Sequence, residues 1–123
     1  MASPNIVNVT SIYGNTSYLI PSTTSATTWT ALTPASGTVN KIDNIVAANV
    51  TGSNATVTVA INSAAAGAGT NYRLIYQVTV PPNAAIVVAD KSTAFYLGEA
   101  QSIVVTSGTA SAIELTASYE AIT

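Results

Sequence analysis

Five carboxylates (Asp43, Asp90, Glu99, Glu114 and Glu120) and three cations (Lys41, Arg73 and Lys91) are the charged side chains of this 123-residue sequence. There is no histidine and no cysteine. The usual general base and proton shuttle is therefore missing, as are thiolate nucleophiles, disulfides and thiolate metal sites. Spacing limits what the carboxylates can do. Glu114 and Glu120 fall on one face of an alternating run but lie roughly 20 Å apart at strand rise, well beyond the about 5–9.5 Å used by glycosidase pairs. Asp90 and Glu99 flank a short apolar run and read as solvated turn acids. A serine nucleophile would need Lys41 or Lys91 as its base, and the sequence contains neither G-x-S-x-G nor S-x-x-K. The glycines of AAAGAGT lack the Gly-Lys of a phosphate-binding loop, and Asp43, Asn44 and Asp90 are too isolated for a calcium site. The sequence thus predicts no enzyme, no cofactor and no bound metal.

Charged residues are 7% of the chain, against about 25% in an average soluble protein. Polarity comes from Thr, Ser and Asn instead. The net charge is −2 and the three cations are scattered, so there is no basic stripe to neutralise phosphates and no nucleic-acid partner is expected. No apolar run approaches the ~20 residues of a membrane helix, so no membrane partner is expected either. The start, MASPNIVNV, has no basic n-region or continuous apolar core, which reads as no signal peptide and synthesis in a cytoplasm. Four N-x-S/T sequons, at Asn8, Asn15, Asn49 and Asn54, read as the chance yield of an Asn- and Thr-rich chain. Weak net charge and little charge to desolvate predict a protein that associates with others.

The elements that must position these residues are strands. Residues 72–90, YRLIYQVTVPPNAAIVVAD, predict an organising hairpin. Tyr72, Leu74, Tyr76, Val78 and Val80 share one face, Pro81-Pro82-Asn83 forms the turn, and residues 84–89 form an apolar strand covered on both sides. Upstream, residues 5–13 and 16–20 read as two strands around a Gly14-Asn15 turn, and Pro21 stops the second. Residues 27–32 read as a further strand. It holds the single tryptophan, Trp29, which reads as a core or subunit-contact anchor in preference to a sugar-stacking platform. Residues 39–50 and 55–61 read as a hairpin across the TGSN turn, with a bulge near Asp43–Asn44 restoring the register of the first strand. Residues 63–71, SAAAGAGTN, read as an exposed loop. Short strands follow at 94–97 and 102–106. Residues 112–120 alternate most cleanly, with Ile113, Leu115, Ala117 and Tyr119 facing inward.

About ten short strands without a helical period predict one all-β domain. Its architecture is an antiparallel β-sandwich, jelly-roll-like, with an immunoglobulin-like sandwich as the second choice. Residues 1–5 are expected to extend from it as an N-terminal arm.

Several stretches carry a family resemblance: MASPNIVNVTSIYG at the start, KIDNIVAANVTGSNATVTVAI in the middle, and VTVPPNAAIVVADKSTAFYLGEAQSIVVTS followed by ELTASYE at the end. Together they resemble small β-sandwich virion structural proteins of tailed bacteriophages, notably those of cyanobacteria and other marine bacteria. The most specific part is the run 78–107. The resemblance implies a virion component made in the host cytoplasm. One placement is a capsid decoration or cement protein, a homotrimer on local threefold sites that binds the major capsid protein. The alternative is a neck, tail or fibre component bound to another virion protein. The resemblance brings no catalytic motif, and this chain is poorer in acids at its LGEAQS turn than such proteins. A more distant reading is a carbohydrate-binding module using Trp29, Tyr13 or Tyr18. Two segments are the expected interfaces. Ala2, Ser3, Pro4, Asn5 and Ile6 form a strand able to pair across subunits. Ala65, Ala66, Gly67, Ala68 and Gly69 form a loop of small residues able to approach a neighbour closely.

Overall fold

The computed structural model describes residue 5 and residues 7–123. Among the described residues, nine strands form two antiparallel sheets: β1 (Ile12–Leu19), β2 (Thr27–Thr28), β3 (Val39–Asn49), β4 (Ala55–Asn62), β5 (Asn71–Val80), β6 (Ala85–Ala89), β7 (Phe95–Leu97), β8 (Ser102–Ser107) and β9 (Ile113–Ile122). One sheet runs β1-β9-β3-β6, with β7 also paired to β3; the other runs β2-β8-β4-β5. β6 and β7 meet opposite ends of β3, at Ile45 to Ala48 and at Asn40 to Ile42. They act as one interrupted edge strand. The pairs are then nested: β4 with β5, β3 with β6 and β7, β2 with β8, and β1 with β9. This is a long hairpin rolled over on itself, the jelly roll that the strand spacing predicts.

Alternation fills the space between the sheets. Ile42, Ile45 and Ala47 of β3, Leu115 and Ala117 of β9, Val57 and Val59 of β4, and Ile103 and Val105 of β8 form the buried cluster with Trp29, Leu32 and Leu97. Trp29 is 1% exposed, and its indole Nε1–H donates to Ser17 Oγ at 3.1 Å. It is a core residue, which removes it as a sugar platform. The strand predicted around it is only two residues long. Residues Thr30–Leu32 instead form a 3-10 turn, over which the Asn40 amide donates to the Leu32 carbonyl at 2.9 Å. The predicted bulge is present, as the β3–β9 register shifts between Ile42 and Asn44.

Three predicted connections are corrected. Residues 12–19 are one strand that passes straight through Gly14 and Asn15. β9 offers an unbroken template, with Gly14 opposite Glu120 and Asn15 opposite Tyr119. Neither residue is forced into a turn, and Gly14 has a negative φ. Residues 39–50 and 55–61 are not a hairpin either: β3 and β4 lie in different sheets. Nor are residues 72–90, since β5 pairs with β4 while β6 pairs with β3. Both polar turns reverse the chain while carrying it across the sandwich. Buried Asn49 fixes these crossings: its Nδ2 donates to Ser53 O (2.7 Å) and Val80 O (3.0 Å), and its Oδ1 accepts from Thr51 N (2.9 Å).

The predicted faces of β5 also change. Two register shifts against β4 place Val78 opposite Val57 and Ile75 opposite Val59. Gln77 takes a positive φ of 48°, which turns the strand at the first shift. Tyr72 and Tyr76 are therefore exposed. β6 is not covered on both faces: it is an edge strand, and Val87 is 61% exposed.

Candidate interaction surface

The expected N-terminal interface, Ala2, Ser3, Pro4, Asn5 and Ile6, lies outside the described residues except for Asn5. Asn5 is exposed and accepts a hydrogen bond from Val7 N on its Oδ1 (3.0 Å).

The expected loop interface is described in full. Ala65, Ala66, Ala68 and Gly69 are exposed and Gly67 is half-buried. The loop joins β4 to β5, among the described residues the one pair of consecutive strands that hydrogen-bond to each other. It is built and pinned. Buried Asn62 uses all four capacities of its amide: Nδ2 donates to Gly69 O (3.2 Å) and Asn71 Oδ1 (2.7 Å), and Oδ1 accepts from Ala64 N (3.0 Å) and Gly69 N (2.8 Å). Buried Ser102 adds a second pin, donating to Ala64 O (2.7 Å) and accepting from Gly67 N (2.9 Å). The loop thereby folds onto the outer face of β8. Gly67 has φ +71°, and a Cβ there would lie 2.9 Å from Thr28 Oγ1 and 3.3 Å from a Val104 methyl. Glycine is required here both for backbone conformation and for close approach.

Sequence reasoning missed the outer face of the β1-β9-β3-β6 sheet. Directly opposed residues in antiparallel strands share a face, so the register sets rows across it. Tyr18, Thr116, Val46 and Val87 form one row, and Gly14, Glu120, Lys41 and Tyr96 another. Tyr18 is 78% exposed and Tyr96 49%. On the described surface as a whole, Tyr13, Tyr18, Tyr72, Tyr76 and Tyr96 are exposed. A signal for this was present: once residues 112–120 are read as alternating, whatever pairs with Thr116 and Glu114 must lie on the open face.

Two depressions mark this sheet. One, of about 500 Å³, is lined by Tyr18, Leu19, Ile20, Glu114, Leu115 and Thr116. It contains a single carboxylate and no second acid or base. The other, of about 420 Å³, gathers Lys41, Asp43, Asp90, Lys91 and Glu120. Its charges are largely committed to local structure. Lys41 Nζ lies 4.0 Å from Asp43 Oδ1. Asp90 caps the 3-10 turn Lys91–Thr93, accepting from the Ser92 hydroxyl (2.6 Å) and Ser92 N (2.9 Å). The Ser92 hydroxyl and then its N–H hold the Asp90 carboxyl below the usual range. Glu99, at the far end of β7, accepts from Gly37 N at 3.1 Å. Burial raises its pKa, but hydrogen bonds from Gly37 N–H and Ser36, among other contacts, leave it lowered. Among the described residues there is no group of three metal-binding side chains.

A jelly-roll sandwich whose outer face carries exposed tyrosines and two charge-containing depressions is the class that fold and surface define. No protein-family model matches the chain, and no curated protein matches it.

Proposed function

We propose that the chain is a structural virion protein of a tailed bacteriophage that acts by assembly, binding as a capsid decoration or cement protein to the major capsid lattice. The observation that carries this reading is the outer face of the β1-β9-β3-β6 sheet, where Tyr18, Tyr96 and Val87 are exposed beside the charged residues Lys41, Glu114 and Glu120. Exposed aromatic rings with polar and charged residues around them match the aromatic core and polar rim of protein interfaces. Each 100 Å² of apolar surface covered contributes about 2.5 kcal/mol, and many weak contacts on one shell act together. The family resemblance, the scarcity of charge and the absence of histidine and cysteine all favour binding over chemistry. On this reading the functional unit is a homotrimer at local threefold sites, and the protein resides in the virion.

The test is the copy number and location of the chain on purified particles, together with sedimentation of added protein with empty capsids. Copies matching the lattice sites and saturable capsid binding are expected. A few copies confined to the neck or tail would replace the cement role with an attachment role. Absence from the particle would overturn the virion reading altogether.

A further inference from the structure

The four sheet edges are not equally protected. Proteins blunt exposed edges with short strands, bulges and charges, because unpaired N–H and C=O groups template further pairing. β2 has two residues. β5 carries two register shifts and Arg73, whose guanidinium lies 5.1 Å from the Tyr76 ring. The β6–β7 edge is broken by the turn Lys91–Thr93 and shifts register at Ile45/Val46. β1 has none of these protections. It is eight residues of unbroken register, IYGNTSYL, without a charge or a proline. Among the described residues its backbone pairs with β9 alone.

Gly14 points the same way. A glycine inside a strand weakens it and marks a bulge or the close approach of another group. There is no bulge here, its φ is negative, and nothing lies within 4 Å of where its Cβ would be. Among the described residues, no contact explains it.

We propose that β1 pairs antiparallel with β1 of a second copy of this chain, joining the two β1-β9-β3-β6 sheets into one continuous sheet. A two-fold axis that joins two edge strands in this way runs perpendicular to the sheet, so every residue keeps its face. A residue must therefore meet its own copy at the axis. With the axis at Thr16, Gly14 lies opposite the partner's Tyr18, Thr16 opposite the partner's Thr16, and Tyr13 opposite the partner's Leu19. The exposed Tyr18 ring then covers the open space over glycine, an arrangement that rescues edge glycines, and Thr faces Thr, a favourable pair. An axis at Asn15 would leave Gly14 opposite Thr16 and the glycine uncovered. The inference concerns chains free in solution and does not depend on the virion role, in which the homotrimer would form only on the capsid lattice.

Light scattering after size exclusion, over a concentration series, tests it. The wild type is expected at twice the 12.4 kDa chain mass. Thr16→Lys sets two like charges against each other at the axis and is expected to give a folded monomer by circular dichroism. Because the chain lacks cysteine, single cysteines report the register. Opposed Cβ atoms lie about 4.5–5.5 Å apart, within a small adjustment of disulfide geometry. Thr16→Cys is expected to form a covalent dimer under mild oxidation, while Gly14→Cys and Asn15→Cys are not. A monomer throughout, a trimer, or a dimer that survives Thr16→Lys would overturn the pairing. Cross-linking that is equal at the three positions or strongest at position 15 would overturn the Thr16-centred register. The cysteine series decides the question even if Thr16→Lys does not fold.

Discussion

Asn62→Ala removes one side chain and four hydrogen bonds. In the wild type the Asn62 amide holds Ala64 N, Gly69 N, Gly69 O and Asn71 Oδ1 at 2.7–3.2 Å from a position 1% exposed. A net hydrogen bond contributes about 0.5–1.5 kcal/mol, and a partner left buried and unpaired costs about 1–3 kcal/mol. Water can reach the exposed side of the loop, so the lower half of the resulting range applies, a loss of about 3 kcal/mol. At an unfolding entropy of about 2.1 cal/mol/K per residue, that loss lowers Tm by about 12 °C. Urea titration should show a lower midpoint at an unchanged m-value, since little surface is added on unfolding. Hydrogen exchange should quicken first at the amides of Ala64 and Gly69. A loss below about 1 kcal/mol, against the several bonds counted, would refute the assignment of Asn62 as the pin of the β4–β5 loop. So would unchanged exchange at those two amides.

Trp29→Phe keeps most of the buried ring but abandons Ser17 Oγ and leaves a small void in the core. A loss of about 1–3 kcal/mol in chemical denaturation is expected, with far-UV dichroism retained. The Asp90 cap sets a pH dependence. Its carboxyl titrates lower in the folded chain than in the unfolded one, so its contribution is present above the unfolded value of 3.8 and is lost as pH falls through the folded value. Asp90→Asn should therefore lose less stability than the wild type on acidification from about pH 5 to pH 2. Glu99 titrates in both proteins and cancels from the comparison, and equal losses would contradict the cap.

The residues that announced themselves in the sequence were those whose environment is set locally. Ile113, Leu115 and Ala117 alternate because β9 lies between two partners with one face on the core. The bulge at Asp43–Asn44 was legible because two apolar series in β3 fall out of phase. Pairing was not legible. A turn such as Thr51-Gly52-Ser53-Asn54 or Pro81-Pro82-Asn83 carries the chemistry of reversal, but nothing in it says whether the chain returns beside the same strand or crosses to the other sheet. Gly14-Asn15 carries the same composition and is no turn, because β9, a hundred residues away in the chain, supplies the template. The loop of small residues was read as surface, which holds for Ala65, Ala66, Ala68 and Gly69. Its rigidity comes from Asn62 and Ser102, whose role depends on a strand alignment that local composition does not encode. The open tyrosine face was hidden for the same reason.

By loop-closure entropy, the nesting of strand pairs also favours an order in time. β4 and β5 are joined by a short loop, so their pairing closes with the least loss of chain entropy. Each further pair, β3 with β6 and β7, then β2 with β8, becomes accessible once the pair inside it has formed. β1 and β9 come from the two ends of the chain and meet last. Contacts of such long sequence separation make slow folders, in the range of milliseconds to seconds. In that order of docking, the β9 edge stays open until β1 pairs with it. The strand that docks last on its own sheet is thus also the one whose far edge carries no charge, bulge or proline to turn a neighbour away.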